Sequence, residues 1–333
     1  MYLISYNSII FLYKFQGGNK YENIFVCLIA VILIDITAFD LISRYSCDRF
    51  CPKLPKFIAM GLIGKNSNKK KRYSRSRERA DRLKNTPHNT YQIHSNDKLK
   101  LVGHYFHNDN SKRIILAVHG WRSTWNYDFN DQYQFLMNNN CSILFIESRA
   151  HGESEGRYMY YGKKERFDVL LWIKFIRENI SADLPIYIYG MSVGATTVIM
   201  ASSDINDPNV LGIIADSAST SARDAGKTTI KNIHLIPALF YSQVRLDCRL
   251  RLKMDDNEYT ALEALKTNKI PILIINGTKD RIAPEFMAEK LYSNCKAPKT
   301  KVTFADAGHL KSYYADTGKY QAAILDFIKQ CET

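Results

Sequence analysis

The chain has 333 residues, of which 46% are hydrophobic and 24% are charged, and its formal net charge is +13. This length suits one large domain with an appendage, or two smaller domains. The charge is uneven, because residues 1–84 hold 16 Lys and Arg against 6 Asp and Glu, whereas the remainder holds 30 against 27. The near-neutral remainder gives no reason to expect nucleic acid at its working site.

The seven cysteines show no spacing typical of a metal site. Cys47 and Cys51 form a C-x3-C pair, with no second pair or histidine cluster to complete a zinc site. An odd and unpatterned set of cysteines fits free thiols in a reducing compartment.

The first predicted element is an apolar helix over about residues 24–42, within an N-terminal region of residues 1–56. Its length is right for one membrane span. Asp35 and Asp40 count against a span, since a carboxylate in the bilayer is costly, and a buried helix of a soluble protein is the alternative. We favour a single-pass anchor, uncleaved because no small-residue cleavage site stands out.

A basic linker is predicted over residues 57–87, with most of its charge in the run 69–79. Only Lys14 and Lys20 lie on the other side of the apolar stretch, so the positive-inside rule predicts a cytoplasmic C-terminal domain. The run is also suited to anionic lipid headgroups. Nucleic acid is not expected as a partner, because the run lacks interleaved aromatic residues beyond Tyr73 and no reader domain follows.

Strand and helix patterns alternate over residues 88–333, which predicts an α/β fold with a mostly parallel sheet covered by helices on both faces. The predicted strands are 90–95, 99–106, 113–118, 142–147, 186–190, 210–215, 270–275 and 300–304. The predicted helices are 127–137, 164–178, a helix that starts at residue 193, and 319–331.

Residues 217–266 interrupt this alternation, with mixed polar and apolar residues and a proline at position 237. We interpret them as a small helical lid inserted after the strand that ends at Asp216. Inserts of this kind usually shape the pocket for the acyl group or side chain of a substrate.

The most informative motif is Gly-x-Ser-x-Gly at residues 190–194, between a buried strand and a helix. This context predicts a very tight turn that holds the hydroxyl of Ser192 clear above the sheet as a nucleophile. Gly190 and Gly194 allow a close approach that a Cβ would block. The helix that begins at Val193 directs its amides to the same point, where they can stabilise an oxyanion.

A serine nucleophile needs a base and an acid that orients the base. His309 follows the strand 300–304, and Asp280 follows the strand 270–275. Both lie just past the carboxyl end of a strand, where open α/β sheets build their sites. Asp216 also follows a strand and is the alternative acid.

The oxyanion hole needs two backbone amides, which we assign to Val193 and Trp121. His119 beside Trp121 is interpreted as structural. His151 is a competing base, although its loop fits a tight turn better. Arg122 is either exposed to solvent or placed to meet an anionic group of the substrate.

Residues 88–331 resemble the α/β-hydrolase superfamily, and most nearly its bacterial, membrane-anchored branch of serine aminopeptidase-like or acylaminoacyl-peptidase-like hydrolases. The resemblance rests on Ala-Val-His-Gly-Trp at 117–121, Glu-Ser-Arg-Ala-His-Gly-Glu-Ser-Glu-Gly at 147–156, Gly-Met-Ser-Val-Gly at 190–194, Ile-Ile-Asn-Gly-Thr-Lys-Asp at 274–280 and Ala-Gly-His-Leu-Lys-Ser-Tyr at 307–313. It departs from the usual pattern at Ala150, where a glycine is common.

The resemblance implies the α/β-hydrolase fold, a triad of Ser192, Asp280 and His309, and oxyanion amides from Trp121 and Val193. We therefore predict a serine hydrolase, of esterase, lipase or peptidase type, that cleaves an ester, thioester or amide in a small-molecule, acyl or peptide substrate. No metal or cofactor is implied. The alternatives are a serine peptidase or aminopeptidase-like enzyme, and a membrane-tethered binding protein on a hydrolase fold without catalysis.

Overall fold

The structure is a computed structural model that describes residues 20–51, 67–232, 237–254 and 259–333. Within these residues, eight strands form a single sheet. The strands are β1 Asn89–His94, β2 Lys100–Phe106, β3 Arg113–Val118, β4 Cys141–Ile146, β5 Ile186–Met191, β6 Val210–Asp216, β7 Ile272–Gly277 and β8 Lys299–Phe304. Their bounds differ from the predicted ones by at most two residues.

The strand order is β1-β2-β4-β3-β5-β6-β7-β8. The pairs β1–β2 and β2–β4 are antiparallel, and the other neighbouring pairs are parallel. The sheet is therefore mostly parallel, as predicted. The chain runs outwards from β3 to β4 and then crosses to β5 on the other side of β3. This reversal creates a crevice at the carboxyl ends of β3 and β5, where ligands usually bind in open α/β sheets.

Helices cover both faces of the sheet. Those described are α1 Lys20–Cys47, α2 Ser67–Asn85, α3 Trp125–Asp128, α4 Tyr133–Asn138, α5 Glu165–Asn179, α6 Val193–Ala201, α7 Ala222–Asn232, α8 Pro237–Leu252, α9 Ala261–Thr267, α10 Glu285–Asn294, α11 Ser312–Ala315 and α12 Thr317–Cys331. One face packs against α5, α6, α9 and α10, and the other against α3, α4 and α12. The central strands are therefore buried on both sides, which explains their continuous apolar sequences.

The single helix predicted over residues 127–137 is instead the two short helices α3 and α4. The chain turns between them, where Phe129 enters the core with no exposed surface. Asp128 ends the first helix and accepts hydrogen bonds from the backbone amide of Gly120 at 2.7 Å and the hydroxyl of Ser123 at 2.5 Å. The break between α3 and α4 therefore places Asp128 where it accepts hydrogen bonds from the loop that follows β3.

The apolar N-terminal stretch forms α1, and the first turns of this helix expose apolar side chains. These are Ile24, Phe25, Val26, Leu28 and Ile29. No helix in the described ranges is long and apolar enough to cross a membrane. The membrane span predicted over residues 24–42 is therefore unconfirmed.

The predicted linker over residues 57–87 is partly helical. Residues 57–66 lie outside the described part of the chain, and the rest contains α2. Ala80 and Leu83 of α2 are buried, and Arg79 forms an ion pair with Asp131 at 2.9 Å. Two apolar residues at helical spacing thus dock a strongly basic helix onto the domain.

The predicted lid over residues 217–266 contains α7, α8 and α9, although 233–236 and 255–258 are not described. Helix α8 packs along α1, where Arg251 forms an ion pair with Asp40 and the sulfur of Cys248 lies 3.7 Å from the hydroxyl of Ser46. Helix α9 packs against α6 with Leu265 fully buried. The insert therefore contacts both the core and the N-terminal helix.

Candidate active site

Ser192 occupies a strained turn between β5 and α6. Its φ of 56° and ψ of −117° lie in a region that residues with a side chain rarely adopt. The backbone amide of Ser192 donates to the carbonyl of Asp216 at 2.8 Å, which fixes the turn to the end of β6. The side chain is consequently held at the carboxyl edge of the sheet, where the motif predicted it.

The two glycines of the motif lie where the backbone leaves no room for a side chain. A Cβ on Gly190 would be 2.4 Å from the carbonyl oxygen of Gly194. A Cβ on Gly194 would be 2.2 Å from the carbonyl oxygen of Val118, at the end of β3. These contacts pack the start of α6 directly onto the crevice.

The structure brings Ser192, His309 and Asp280 together. The serine Oγ lies 2.8 Å from His309 Nε2. His309 Nδ1 donates to Asp280 Oδ2 at 2.8 Å. The other oxygen of Asp280 accepts from the backbone amides of Ile282 at 2.8 Å and Ala283 at 2.9 Å. This geometry fixes the imidazole tautomer so that Nε2 can accept the serine proton.

Asp216, the alternative acid, does not bond to His309. Its carboxylate accepts from Tyr320 at 2.7 Å and from the hydroxyl of Ser217 at 2.9 Å. Ser217 Oγ in turn accepts from the amide of Leu310, next to His309, at 3.3 Å. Burial raises the pKa of Asp216 to about 6, against the lowering effect of its two hydrogen bonds. Asp216 is therefore connected to the loop that carries His309 through the hydroxyl of Ser217.

The loop after β3 lies beside Ser192, because a Cβ on Gly120 would be 3.1 Å from that of Ser192. The amides of Trp121 and Val193, the two predicted oxyanion donors, make no hydrogen bond to another residue in the described part of the chain. Two unpaired amides beside a serine hydroxyl are what an oxyanion hole requires. The oxyanion role of these two amides stays a prediction.

The two other candidate histidines have structural partners. His119 Nδ1 donates to the carbonyl of Gly120 at 2.8 Å, and its Nε2 accepts from the amide of Ser148 at 3.2 Å. His151 Nε2 accepts from the amide of Arg122 at 3.0 Å. Burial lowers the pKa of both rings, to about 3 for His151. Among the described residues, neither ring forms a hydrogen bond with Ser192, and the competing base His151 is engaged elsewhere.

Arg122 is neither free in solvent nor directed to a substrate position. Its guanidinium donates to the carbonyls of Tyr45 at 2.7 Å and Asp48 at 2.6 Å. The sequence alone did not reveal this contact, because its acceptors are backbone carbonyls. It also did not reveal the hydrogen bonds that Asp128 accepts from the loop after β3. The one available signal was Arg122 itself, a charged residue directly after the predicted oxyanion residue.

Comparison with known proteins gives a match over the part of the chain that contains this site. Residues 146–310, which contain Ser192, Asp280 and His309, match the family model of the serine hydrolases named FSH1. The uncharacterized protein YfhR of Salmonella typhi is 24% identical over 234 residues, covering 66% of this chain and 73% of that protein. The uncharacterized membrane protein YNL320W of Saccharomyces cerevisiae is 22% identical, covering 73% of this chain and 80% of that protein.

Two solved structures are similar in fold. The esterase Pf2001 of Pyrococcus furiosus matches with a TM-score of 0.61 and 23% identity, over 73% of this chain and 91% of the esterase. The acylaminoacyl peptidase of Pyrococcus horikoshii matches with a TM-score of 0.57 and 18% identity, over 72% of this chain and 41% of the peptidase. These matches support the predicted resemblance to the α/β-hydrolase superfamily, and the serine hydrolase model over residues 146–310 supports a hydrolase enzyme.

The buried carboxyl of Asp216 makes stability depend on pH. Its folded pKa of about 6 lies above the ordinary value of 3.8. Between these two pH values the folded state holds a proton that the unfolded state has lost. The stabilisation is therefore complete below the lower value and is lost as the pH rises through about 6. Relative to Asp216→Asn, the wild type should lose about 2–3 kcal/mol of unfolding free energy between about pH 4 and about pH 8. Urea unfolding across this range measures the difference.

The matched control for this prediction is Asp326→Asn, which changes an exposed aspartate on α12. This variant should follow the wild type at every pH. A constant difference between wild type and Asp216→Asn over the whole range would contradict the assigned burial effect.

Proposed function

We propose that the chain is a serine hydrolase that cleaves an ester, thioester or amide through a covalent acyl-enzyme. The observation that carries the proposal is the pair of 2.8 Å contacts that connects Ser192 Oγ to His309 and His309 to Asp280. Nucleophile, base and orienting acid are within hydrogen-bonding distance before any substrate binds. A protein that only bound ligands would have no use for this alignment.

In the first half-reaction, Ser192 Oγ attacks the acyl carbonyl while His309 Nε2 takes the hydroxyl proton. Asp280 keeps the imidazole in the correct tautomer and stabilises the imidazolium that forms. The negative charge on the former carbonyl oxygen is stabilised by the amides of Trp121 and Val193. His309 then returns the proton to the leaving group, and the acyl group stays on Ser192.

In the second half-reaction, water replaces the leaving group. His309 takes a proton from the water as it attacks the acyl-enzyme, and then donates that proton to Ser192 as the acid product departs. The two amides serve the same function for the second tetrahedral intermediate. No metal or cofactor takes part in this sequence. The esterase and peptidase names of the two similar structures fit such a reaction, and peptidase activity is the alternative within it.

We also propose that the enzyme works at a membrane, with its hydrolase domain on the cytoplasmic side. The support is the apolar side chains exposed on the first turns of α1 and the basic run at residues 69–79. The yeast relative is described as a membrane protein, which agrees with this proposal.

The nucleophile is tested with a fluorophosphonate probe, which reacts with activated serines. The full-length wild type should be labelled, whereas Ser192→Ala should lose both labelling and ester hydrolysis, the latter by about three orders of magnitude or more. Ser293→Ala changes an exposed serine on α10 and should label like the wild type. A folded wild type that neither labels nor hydrolyses p-nitrophenyl esters would overturn the proposal.

The acid is tested by comparing two isosteric changes. Asp280→Asn should lower kcat by about three to four orders of magnitude, because an amide cannot hold the required histidine tautomer. Asp216→Asn should lower kcat by less than about tenfold, since this carboxyl acts on the histidine loop only through Ser217. Steady-state hydrolysis at neutral pH measures both. The opposite order of effects would transfer the acid role to Asp216.

Membrane association is tested with vesicles of phosphatidylcholine and phosphatidylserine. The wild type should sediment with the vesicles, and the double variant Phe25→Glu, Leu28→Glu should bind about tenfold less or weaker still, because carboxylates are costly in the apolar region. Phe286→Glu changes an exposed phenylalanine on α10 and should bind like the wild type. A wild type that stays in the supernatant would contradict the proposal.

A further inference from the structure

The last turn of α1 and the residues that follow it lie against the loop that carries Trp121; we call this segment, residues 45–51, the N-terminal strap. The indole Nε1 of Trp121 donates to the carbonyl of Ser46 at 2.8 Å. The guanidinium of Arg122 donates to the carbonyls of Tyr45 at 2.7 Å and Asp48 at 2.6 Å. Two consecutive side chains of the loop are therefore held by three backbone carbonyls of the strap.

Aromatic contacts add to these hydrogen bonds. The ring of Tyr45 meets the indole of Trp121 edge to face, with 5.4 Å between the ring centres. The guanidinium of Arg122 lies over the ring of Tyr45 at 4.4 Å from its centre. Such arrangements are favourable for both pairs, so the strap also fixes the orientation of the two side chains.

The backbone of the same loop is held on both sides of the Trp121 amide. The amide of Gly120 donates to Asp128 at 2.7 Å, and the amide of Arg122 donates to His151 Nε2 at 3.0 Å. Arg122 has a φ of 49°, in the left-handed region, and such a conformation persists only where its surroundings impose it. The Trp121 amide has no hydrogen-bond partner among the described residues and lies between two engaged neighbours.

The strap is itself attached firmly to the hydrolase domain. Arg49 donates to the carbonyls of Ser154 at 2.7 Å and Gly152 at 2.8 Å. Asp48 is buried and forms an ion pair with Arg157 at 2.9 Å. Backbone hydrogen bonds also join the strap to residues 157–159. The amide of Met159 donates to the carbonyl of Cys47, and the amide of Arg49 donates to the carbonyl of Arg157. The strap is therefore a fixed support for the loop that carries Trp121 and Arg122.

We propose that the N-terminal strap is a positioning part of the active site, which acts through Arg122 to hold the Trp121 amide where the oxyanion develops. Arg122 is the positioning residue, because it joins the strap carbonyls to the strained backbone next to that amide. This inference rests on the proposed function. It assigns to a segment outside the predicted hydrolase domain an indirect effect on transition-state stabilisation, exerted through Arg122.

The inference predicts a specific kinetic pattern. Displacing an oxyanion donor weakens binding of the transition state but not of the ground-state substrate. In the full-length chain, Arg122→Ala should lower kcat for a p-nitrophenyl ester by about 10- to 100-fold, with KM changed by less than about threefold. The Ki of an aryl trifluoromethyl ketone, which forms an oxyanion adduct with a serine, should rise by the same factor as kcat falls.

Rates are expressed per active site, counted by end-point labelling with a fluorophosphonate, so that loss of folded protein does not mimic a loss of turnover. Arg177→Ala is the matched control, because Arg177 also donates to a backbone carbonyl, that of Leu184 at 2.7 Å, and pairs with Asp207. This variant should keep both kcat and the ketone Ki within about threefold of the wild type.

Trp121→Phe is the second variant, for use if Arg122→Ala does not fold. It removes the hydrogen bond to Ser46 and keeps an aromatic ring, so kcat and ketone affinity should both fall by about 3- to 10-fold. Unchanged kcat per site and unchanged ketone Ki in the folded variants would overturn the role of the strap. A wild type that is not labelled at all would instead overturn the proposed function, and the strap proposal with it.

Discussion

The candidate site depends on one steric constraint, the close contact between the end of β3, the end of β5 and the start of α6. Gly194 lies against the carbonyl of Val118, and Gly190 lies against Gly194, with no space for a Cβ at either position. This contact forces Ser192 into its strained conformation. It also places the loop after β3 next to the serine, so the nucleophile and the Trp121 amide share one rigid support. The strain is sustained by the sheet around it, since residues in such conformations persist only where packing imposes them.

The sequence predicted the parts of the molecule that follow from local patterns. The central parallel strands are short apolar runs because both of their faces are buried. All eight predicted strands belong to the sheet. The Gly-x-Ser-x-Gly motif carries its own geometry, because the spacing of small residues sets the turn. Asp280 and His309 were found because chain order and strand ends restrict where such residues occur. Local pattern and chain order were therefore sufficient to propose the three residues that meet, with Asp216 kept as the alternative acid.

The sequence could not choose between Asp280 and Asp216 on physical grounds, because both follow a strand. The choice depends on loop geometry: His309 turns its Nδ1 towards Asp280, while Asp216 is engaged by Tyr320 and Ser217. A similar limit applies to the N-terminal segment. Its apolar run predicted a helix apart from the hydrolase domain, yet its contacts with Trp121 and Arg122 are made by backbone carbonyls. Because every residue has a backbone carbonyl, the sequence does not indicate which residues accept such hydrogen bonds.

The role proposed for the N-terminal strap changes where the working unit of this enzyme begins. By sequence, the hydrolase domain starts near residue 88, and a recombinant fragment cut there would contain every residue of the Ser192–His309–Asp280 set. Such a fragment would nevertheless lack the carbonyls of Tyr45, Ser46 and Asp48, together with the α1 surface against which α8 packs. Weak turnover in that fragment would reflect the missing segment and not the chemistry of the site. On this proposal, the functional boundary of the domain lies on the N-terminal side of α2, within the region of residues 1–56 that carries the predicted anchor.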